Sequence, residues 1–371
     1  MKNCFKLLRL ALPCVLMTFA ALTHAQNKPT GFVLKGVISG TNDGTKVMLF
    51  DIDGQKVLDS TVTANGAFVL KGHVDEPTAC WIRCNNEYAT IQVENTSITF
   101  TSPLKEMKLN FKAQGGKEQS LQNELDQLQR GYERIYTHAY DSLSNKLYRD
   151  TVQKARLIKT FNRAQDVYMD IYVAFGRKHI GSYLGLGIVY RNRQRIPKDS
   201  LVMLYSSLLP ALKRTAEAQA LQTYATGKLA SKGQHFLDFE ARTIEGRPFR
   251  LSDLKGKYIY LAFGSFSCGP CRMENREIAK QYSKLNKQIA IVNFSLDVNR
   301  KEWEAAAKID GIIWYNVSDM AGMAGKIKTL YNVQAMPTSF FIAPDGVIIE
   351  RFDGYSDENI TKITRVVSEM K

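Results

Sequence analysis

The sequence predicts an α/β layer fold with a mixed sheet at its C-terminal end, preceded by a small all-β, sandwich-like unit and a helical segment. Three observations predict it. Between Phe32 and Phe111, short β-rich runs are broken by turn signals every eight to twelve residues. From Leu121 the apolar period becomes that of amphipathic helices, and after Ser231 strands and helices alternate. At 371 residues, 44% hydrophobic and 23% charged, the chain is long enough for two or three domains and has a globular composition.

Lys2, Lys6 and Arg9 precede the apolar run Leu10–Leu22, and Thr23-His24-Ala25 ends in a small residue. This is the layout of a secretory signal peptide over residues 1–25, and the apolar run is short for a membrane span. A lipoprotein reading through Cys14 fits poorly, because Pro13 precedes it and the apolar run continues. The expected location is the periplasm or cell envelope. Export leaves Cys80, Cys84, Cys268 and Cys271, too few for a disulfide-stapled scaffold. Cys80 and Cys84 lie four strand steps apart, roughly 13 Å between α-carbons and beyond disulfide reach, and read as half-buried core cysteines. Losing Lys2, Lys6 and Arg9 lowers the formal charge from +14 to +11. The remaining basic residues are dispersed and carry no nucleic-acid motif, so no nucleic-acid partner is expected.

In residues 26–114, Asn42-Asp43-Gly44, Asp53-Gly54 and Asn65-Gly66 separate β-rich runs such as Lys46–Phe50 and Ala67–Leu70; Asn-Gly between such runs is a hairpin signal. Residues 115–230 read as a helical spacer or dimerisation segment. Leu121, Leu125, Leu128, Tyr132 and Ile135 form one helical face, and Leu157, Phe161, Ala164, Tyr168, Ile171 and Phe175 another. Further helix is expected over Leu201–Leu209 and Leu212–Tyr224. Residues 231–371 contain the turn Glu245-Gly246, a buried strand over Tyr258–Phe263, a helix over Arg272–Lys287 and a second strand over Ile289–Leu296. A helix over Lys301–Ile309 returns the chain toward the apolar run Gly311–Trp314, and another covers Gly325–Tyr331. A hairpin of Ser339–Ile342 and Val347–Phe352 turns at Asp345-Gly346, and Glu358–Met370 closes as a helix.

The chemistry sits between the first strand and helix of this last unit, in Ser267-Cys268-Gly269-Pro270-Cys271-Arg272. Two cysteines three positions apart can occupy the first turn of a helix, where unpaired N–H groups and the positive end of the macrodipole stabilise a thiolate. Strand, tight Cys-x-x-Cys turn and helix together read as a dithiol/disulfide exchange site. Half of a zinc site would need two more ligands, and the five histidines stand at no ligand spacing.

Leu251-Ser252-Asp253-Leu254-Lys255-Gly256-Lys257, Cys268-Gly269-Pro270-Cys271-Arg272, Glu274, Met336-Pro337-Thr338, Phe340-Phe341-Ile342 and Asp345-Gly346 together resemble the thioredoxin superfamily. The resemblance is specifically to the TlpA/ResA-like thiol-disulfide oxidoreductases exported by bacteria, and covers about 140 residues. It implies a thioredoxin-like fold and a redox-active disulfide, Cys268–Cys271, with no other cofactor. Cys268 would attack, and Cys271 would resolve the mixed disulfide. Gly269 and Pro270 would set the turn and contact the substrate. Pro337 would be a cis-proline facing the site, its loop pairing with the target peptide through the Met336 backbone as a short added strand, with Thr338 also on the substrate side. Glu274 would take the proton that Cys271 loses, standing as the only nearby carboxylate because Ala262 occupies the position of the buried acid of thioredoxins. The tryptophans usual in the family are replaced by Ser267 and Gly264. Residues 31 to about 230 also look like the uncharacterised β-unit and helical segment that often precede such modules.

The function expected is reduction of protein disulfides, including haem-accepting cysteines of the kind handled in cytochrome c maturation. The expected partners are cysteine-containing client proteins, a membrane thiol donor and a second copy held through the helical segment. Two alternatives are a peroxiredoxin-like thiol peroxidase and a non-catalytic binding or assembly protein. Phe266-Ser267 do not supply the threonine and proline that a peroxidase places before its cysteine.

Overall fold

The computed structural model describes residues 30–369, so the expected signal peptide lies outside the described residues. Eight strands come first: β1 (Phe32–Ser39), β2 (Lys46–Asp51), β3 (Lys56–Val62), β4 (Ala67–Gly72), β5 (Thr78–Cys84), β6 (Glu87–Val93), β7 (Ser97–Pro103) and β8 (Lys112–Gln114). They make two four-stranded sheets, ordered β4-β1-β7-β8 and β3-β2-β5-β6. Alternate residues of strands such as β1, β2, β5 and β7 face inward, and Leu34, Leu49, Ile82, Ile91 and Phe100 from both sheets share one core. Burial of each such side chain stabilises by about 1.5–3 kcal/mol. Gly36 takes an inward position of β1 because a Cβ there would lie 2.1 Å from the Phe68 ring.

Two expectations for this unit need correcting. Asn65-Gly66 does form a tight turn with positive φ at both residues, closed by an Ala64–Ala67 bridge, but it joins no hairpin of one sheet. Its flanks, β3 and β4, pair with β2 and β1 respectively, so the turn carries the chain from one sheet to the other. Cys80 and Cys84 are fully buried rather than half-buried, because both fall on the inward face of β5 with Ile82, and both are free thiols.

Six helices follow: α1 (Lys117–Ser144), α2 (Thr151–Lys178), α3 (Tyr183–Arg191), α4 (Lys198–Ser206), α5 (Pro210–Lys213) and α6 (Ala216–Thr226). Asp150, Ser182 and Thr215 cap α2, α3 and α6 by accepting from Gln153, Gly185 and Ala218 N–H groups. The expected helix Leu212–Tyr224 is therefore two, broken where Thr215 caps the second. The expected apolar face of α1 is also not the buried one: Leu125 is buried, whereas Leu128, Tyr132 and Ile135 are exposed. Polar groups fix the buried face instead. Gln119 accepts from Gln92 N–H at 2.8 Å, Glu118 accepts from the N–H groups of Tyr183 and Leu184, and the Gln129 amide donates to Tyr168 O at 3.0 Å. Helix α3 carries no apolar period because Leu184 to Tyr190 are buried all round; Gly185 allows the close approach, since a Cβ there would lie 2.0 Å from His179 O.

The last unit holds β9 (Glu240–Thr243), β10 (Pro248–Arg250), β11 (Tyr258–Gly264), α7 (Gly269–Leu285), β12 (Ile289–Ser295), α8 (Arg300–Asp310) and β13 (Tyr315–Ser318). It continues with α9 (Lys326–Leu330), β14 (Thr338–Ile342), β15 (Ile348–Asp353) and α10 (Asp357–Glu369). The strands form one mixed sheet, β10-β9-β13-β12-β11-β14-β15, in which central β11 runs parallel to β12 and antiparallel to β14. Both faces of β11 are covered: Ile259, Leu261 and Phe263 enter one core, Tyr260 and Ala262 the other. The strand after α8 starts at Tyr315, just past the apolar run Gly311–Trp314. Gly311 ends α8 in the left-handed conformation, and Trp314 is fixed through its indole N–H to Asn293 at 3.1 Å. The helical unit joins this one through Ala230 N–H to Leu330 O and the Tyr190 hydroxyl to Met323 O. No helix among the described residues is long and apolar enough to cross a membrane.

Burial leaves Cys80 and Cys84 without access to solvent, and desolvation pushes both thiols up. In the reduced native protein they should resist a thiol-alkylating reagent and react only in denaturant, as peptide mass mapping would show. Native-state alkylation at either would contradict this packing.

Candidate active site

Strand β11 ends at Gly264, four residues before Cys268, and α7 begins at Gly269. Cys268 is the N-cap of α7: its Sγ accepts from Cys271 N–H at 3.1 Å, and Pro270 occupies the first turn, where a missing N–H costs nothing. Cys268 and Cys271 form a disulfide with α-carbons 5.2 Å apart. Cys268 is the more exposed of the two, at 8% against 4%, and Gly269 and Pro270 between them are exposed. The helix N-terminus stabilises negative charge on the capping sulfur once the pair is reduced.

Beside this turn runs the start of β14. Thr338 pairs with Phe263 near the end of β11, so Met336-Pro337 falls at the same end of the sheet as Gly264. The Met336–Pro337 peptide bond is cis. Pro337 O accepts from Gly354 N–H at 2.8 Å, and the Thr338 hydroxyl donates to Ala335 O at 2.8 Å. Met336 is half-buried and Thr338 buried.

Glu274 lies one turn beyond Cys271, on the side of α7 that packs on the sheet, and is 1% exposed. Its carboxylate accepts from the Tyr260 hydroxyl at 2.5 Å and the Ser339 hydroxyl at 3.3 Å. Burial raises it to about 7, the two hydroxyls only partly opposing this. A carboxyl poised near neutrality can both take and return a proton.

Glu274 is not the only nearby carboxylate, contrary to the sequence reading. Asp297, just past β12, is equally hidden from solvent and accepts from Phe266 N–H at 2.9 and 3.1 Å and from the Ser295 hydroxyl at 2.7 Å. Arg272 donates to Phe266 O at 3.3 Å and pairs with buried Asp310, which also holds Arg276 at 3.1 Å. The Phe266 peptide, two residues before Cys268, is thus held at its N–H by a carboxylate and at its oxygen by a guanidinium. The only sequence signal for this was an acid directly after a buried strand. Gly264 has its own consequence: a Cβ there would lie 3.1 Å from Cys271 Cβ and 3.2 Å from its Sγ, so Cys271 packs against bare backbone.

Fold and site together define a protein built for disulfide exchange. The AhpC/TSA family model matches residues 232–351, and a domain of unknown function (DUF4369) matches residues 32–122. The thioredoxin-like protein YneN of Bacillus subtilis is 31% identical over 131 residues, 34% of this chain and 75% of YneN. The thiol-disulfide oxidoreductase ResA of Bacillus cereus is 32% identical over 124 residues, 33% of this chain and 69% of ResA. A solved thiol-disulfide oxidoreductase from Bacteroides fragilis aligns at 26% identity over 36% of this chain and 99% of its own, with a TM-score of 0.33. Through this C-terminal unit the chain belongs to the ResA-like thiol-disulfide oxidoreductases of the thioredoxin superfamily, and it is an enzyme of that class.

The Glu274 carboxyl, at about 7 in the folded protein against an ordinary 4.5, keeps its proton in the folded state across a window where the unfolded chain has released it. Its contribution is therefore full below pH 4.5 and is lost as pH rises to 7, by about 3 kcal/mol in all. Glu274→Gln has no such loss. Urea unfolding should find the variant gaining about 2–3 kcal/mol on wild type between pH 5 and 8; a pH-independent difference would contradict the burial argument.

Proposed function

We propose that this protein is exported and uses the Cys268–Cys271 dithiol to reduce disulfides in client proteins of the cell envelope. The observation that carries this reading is a bridged Cys-Gly-Pro-Cys turn at the N-terminus of α7, with the first cysteine the more exposed. In the reduced enzyme, Cys268 Sγ attacks one sulfur of the client disulfide, the other leaving as a thiolate that takes a proton. Cys271 passes its proton to Glu274, and its thiolate attacks Cys268 Sγ. The bond from Cys268 to the client breaks, the second client sulfur leaves reduced, and the Cys268–Cys271 bond forms.

Pro337 lies beside the sulfurs in this reading. Met336, just before β14, offers backbone to a client segment, with Thr338 beside it and Gly269 and Pro270 forming the floor beneath. A membrane thiol carrier returns the pair to the dithiol, since the compartment outside the cytoplasm is oxidising. The clients include disulfides whose reduction frees cysteines for haem attachment. No further cofactor enters the cycle. The exposed Leu128, Tyr132 and Ile135 on α1 support docking of a second copy on the helical unit. A peroxidase reading finds Phe266-Ser267 where its threonine and proline would stand, and a purely binding role leaves the formed Cys268–Cys271 bridge without use.

Expression of Cys271→Ser in cells should accumulate client proteins joined to Cys268 through disulfides, released by dithiothreitol and absent in the Cys268→Ser, Cys271→Ser double variant. Equal recovery from both variants would overturn the assignment of attacker and resolver.

A further inference from the structure

Cys271 lines a small, half-open chamber of about 30 Å³. Polar and titratable groups surround it: Cys271, Glu274 and Asn275 from α7, Asn293 from β12, and Asp297 beyond it. The volume suits one water molecule, which needs two to four polar partners, and the lining supplies them. The reduction cycle accounts for Glu274 but leaves Asp297 unused, although both carboxylates line the same space as the buried sulfur. Glu274 sits under the sheet between Tyr260 and Ser339, whereas Asp297 is followed at once by the half-exposed Val298 and Asn299 and the exposed Arg300.

We propose that Asp297 is a second proton acceptor for the Cys271 thiol, working across this chamber in parallel with Glu274. The inference rests on the disulfide-exchange reading above. In the step, the Cys271 S–H proton moves to a water in the chamber as that water gives a proton to an Asp297 oxygen. The Cys271 thiolate then attacks Cys268 Sγ and expels the client thiolate, and the Asp297 carboxyl later releases its proton toward the adjoining surface turn. One proton leaves sulfur and one reaches oxygen, and the sulfur electrons balance as in the main cycle. The placement also explains why Asp297 binds the Phe266 N–H: the carboxylate that receives the proton holds the loop carrying Cys268.

The charges facing Asp297 are consistent with this role. Burial raises its carboxyl above the ordinary range, while the Ser295 hydroxyl, the Phe266 N–H and Arg272 of α7 oppose that rise. Asp310 partly neutralises Arg272, and Glu302 of α8 is pushed up by burial and, after it, by Asp297. Cys271 and Glu274 complete the set from α7.

The test uses the reduced full-length protein and one equivalent of 5,5′-dithiobis(2-nitrobenzoic acid), whose first thionitrobenzoate reports attack by Cys268 and whose second reports resolution by Cys271. Asp297→Asn keeps an oxygen for the Phe266 N–H but removes the charge. The expected result is an unchanged first phase, a second phase slowed about twofold with an altered pH profile because Glu274 still takes the proton, and recovery in Asp297→Glu. The Asp297→Asn, Glu274→Gln double variant should be slower than either single one. Ser295→Ala, which removes the hydroxyl that donates to the carboxylate and accepts from the Asp297 N–H, should move the second-phase pH midpoint upward and gives an independent reading if the Asn variant folds poorly. An unchanged second phase in Asp297→Asn, or equal slowing of both phases, would overturn the proposal. Wild-type protein releasing no second equivalent would instead overturn the exchange reading beneath it.

Discussion

The first turn of α7 is the constraint on which the redox unit depends. Cys268 Sγ caps the helix by accepting from the Cys271 N–H, and the same four residues bring the two sulfurs into bonding reach. A helix can start there only if the strand before it stops at the right height and the loop between them is fixed. Strand β11 is buried on both faces between β12 and β14, which sets the height. The loop is held by Leu296 N–H to Gly264 O at 2.8 Å, by Asp297 on the Phe266 N–H, and by Arg272 on the Phe266 oxygen. The first two contacts come from the end of β12, which neighbours β11 in space and not in sequence, and the third comes from α7 itself.

The redox unit was legible in the sequence because its signals are local. A run of apolar residues, a Cys-Gly-Pro-Cys turn and a Met-Pro-Thr before a β-rich stretch each specify their own neighbourhood. Pairing of Phe263 with Thr338 then brings them to one end of the sheet. Asp297 was not legible, since its significance lies entirely in packing against residue 266 across a parallel strand pair. The loss of the family tryptophans was legible as an absence at Gly264 and Ser267. Its meaning, a cysteine lying against bare strand backbone, needed coordinates.

The N-terminal part followed the same division. Strand alternation announced a two-sheet core, but Asn65-Gly66 also marks a crossing between sheets, and turn chemistry alone does not distinguish this from a hairpin. On α1, the apolar stripe through Leu128, Tyr132 and Ile135 misled because buried Glu118, Gln119 and Gln129 take the inward face through hydrogen bonds to backbone. Helix α3, buried from Leu184 to Tyr190 with Gly185 against the backbone at the end of α2, has no amphipathic period to read. In each case a polar or glycine contact at an interface decided the orientation over hydrophobic periodicity.

The central claim is that Cys268 and Cys271 form a reversible redox couple that exchanges with protein disulfides. Its most direct test equilibrates the protein with dithiothreitol mixtures of graded potential, counts alkylatable sulfurs at Cys268 and Cys271 by mass, and then follows insulin reduction. The account predicts a single two-electron transition in which both cysteines change together, and insulin reduction that Cys268→Ser abolishes. Cysteines that stay locked in one state across the series, or activity that survives Cys268→Ser, would contradict it.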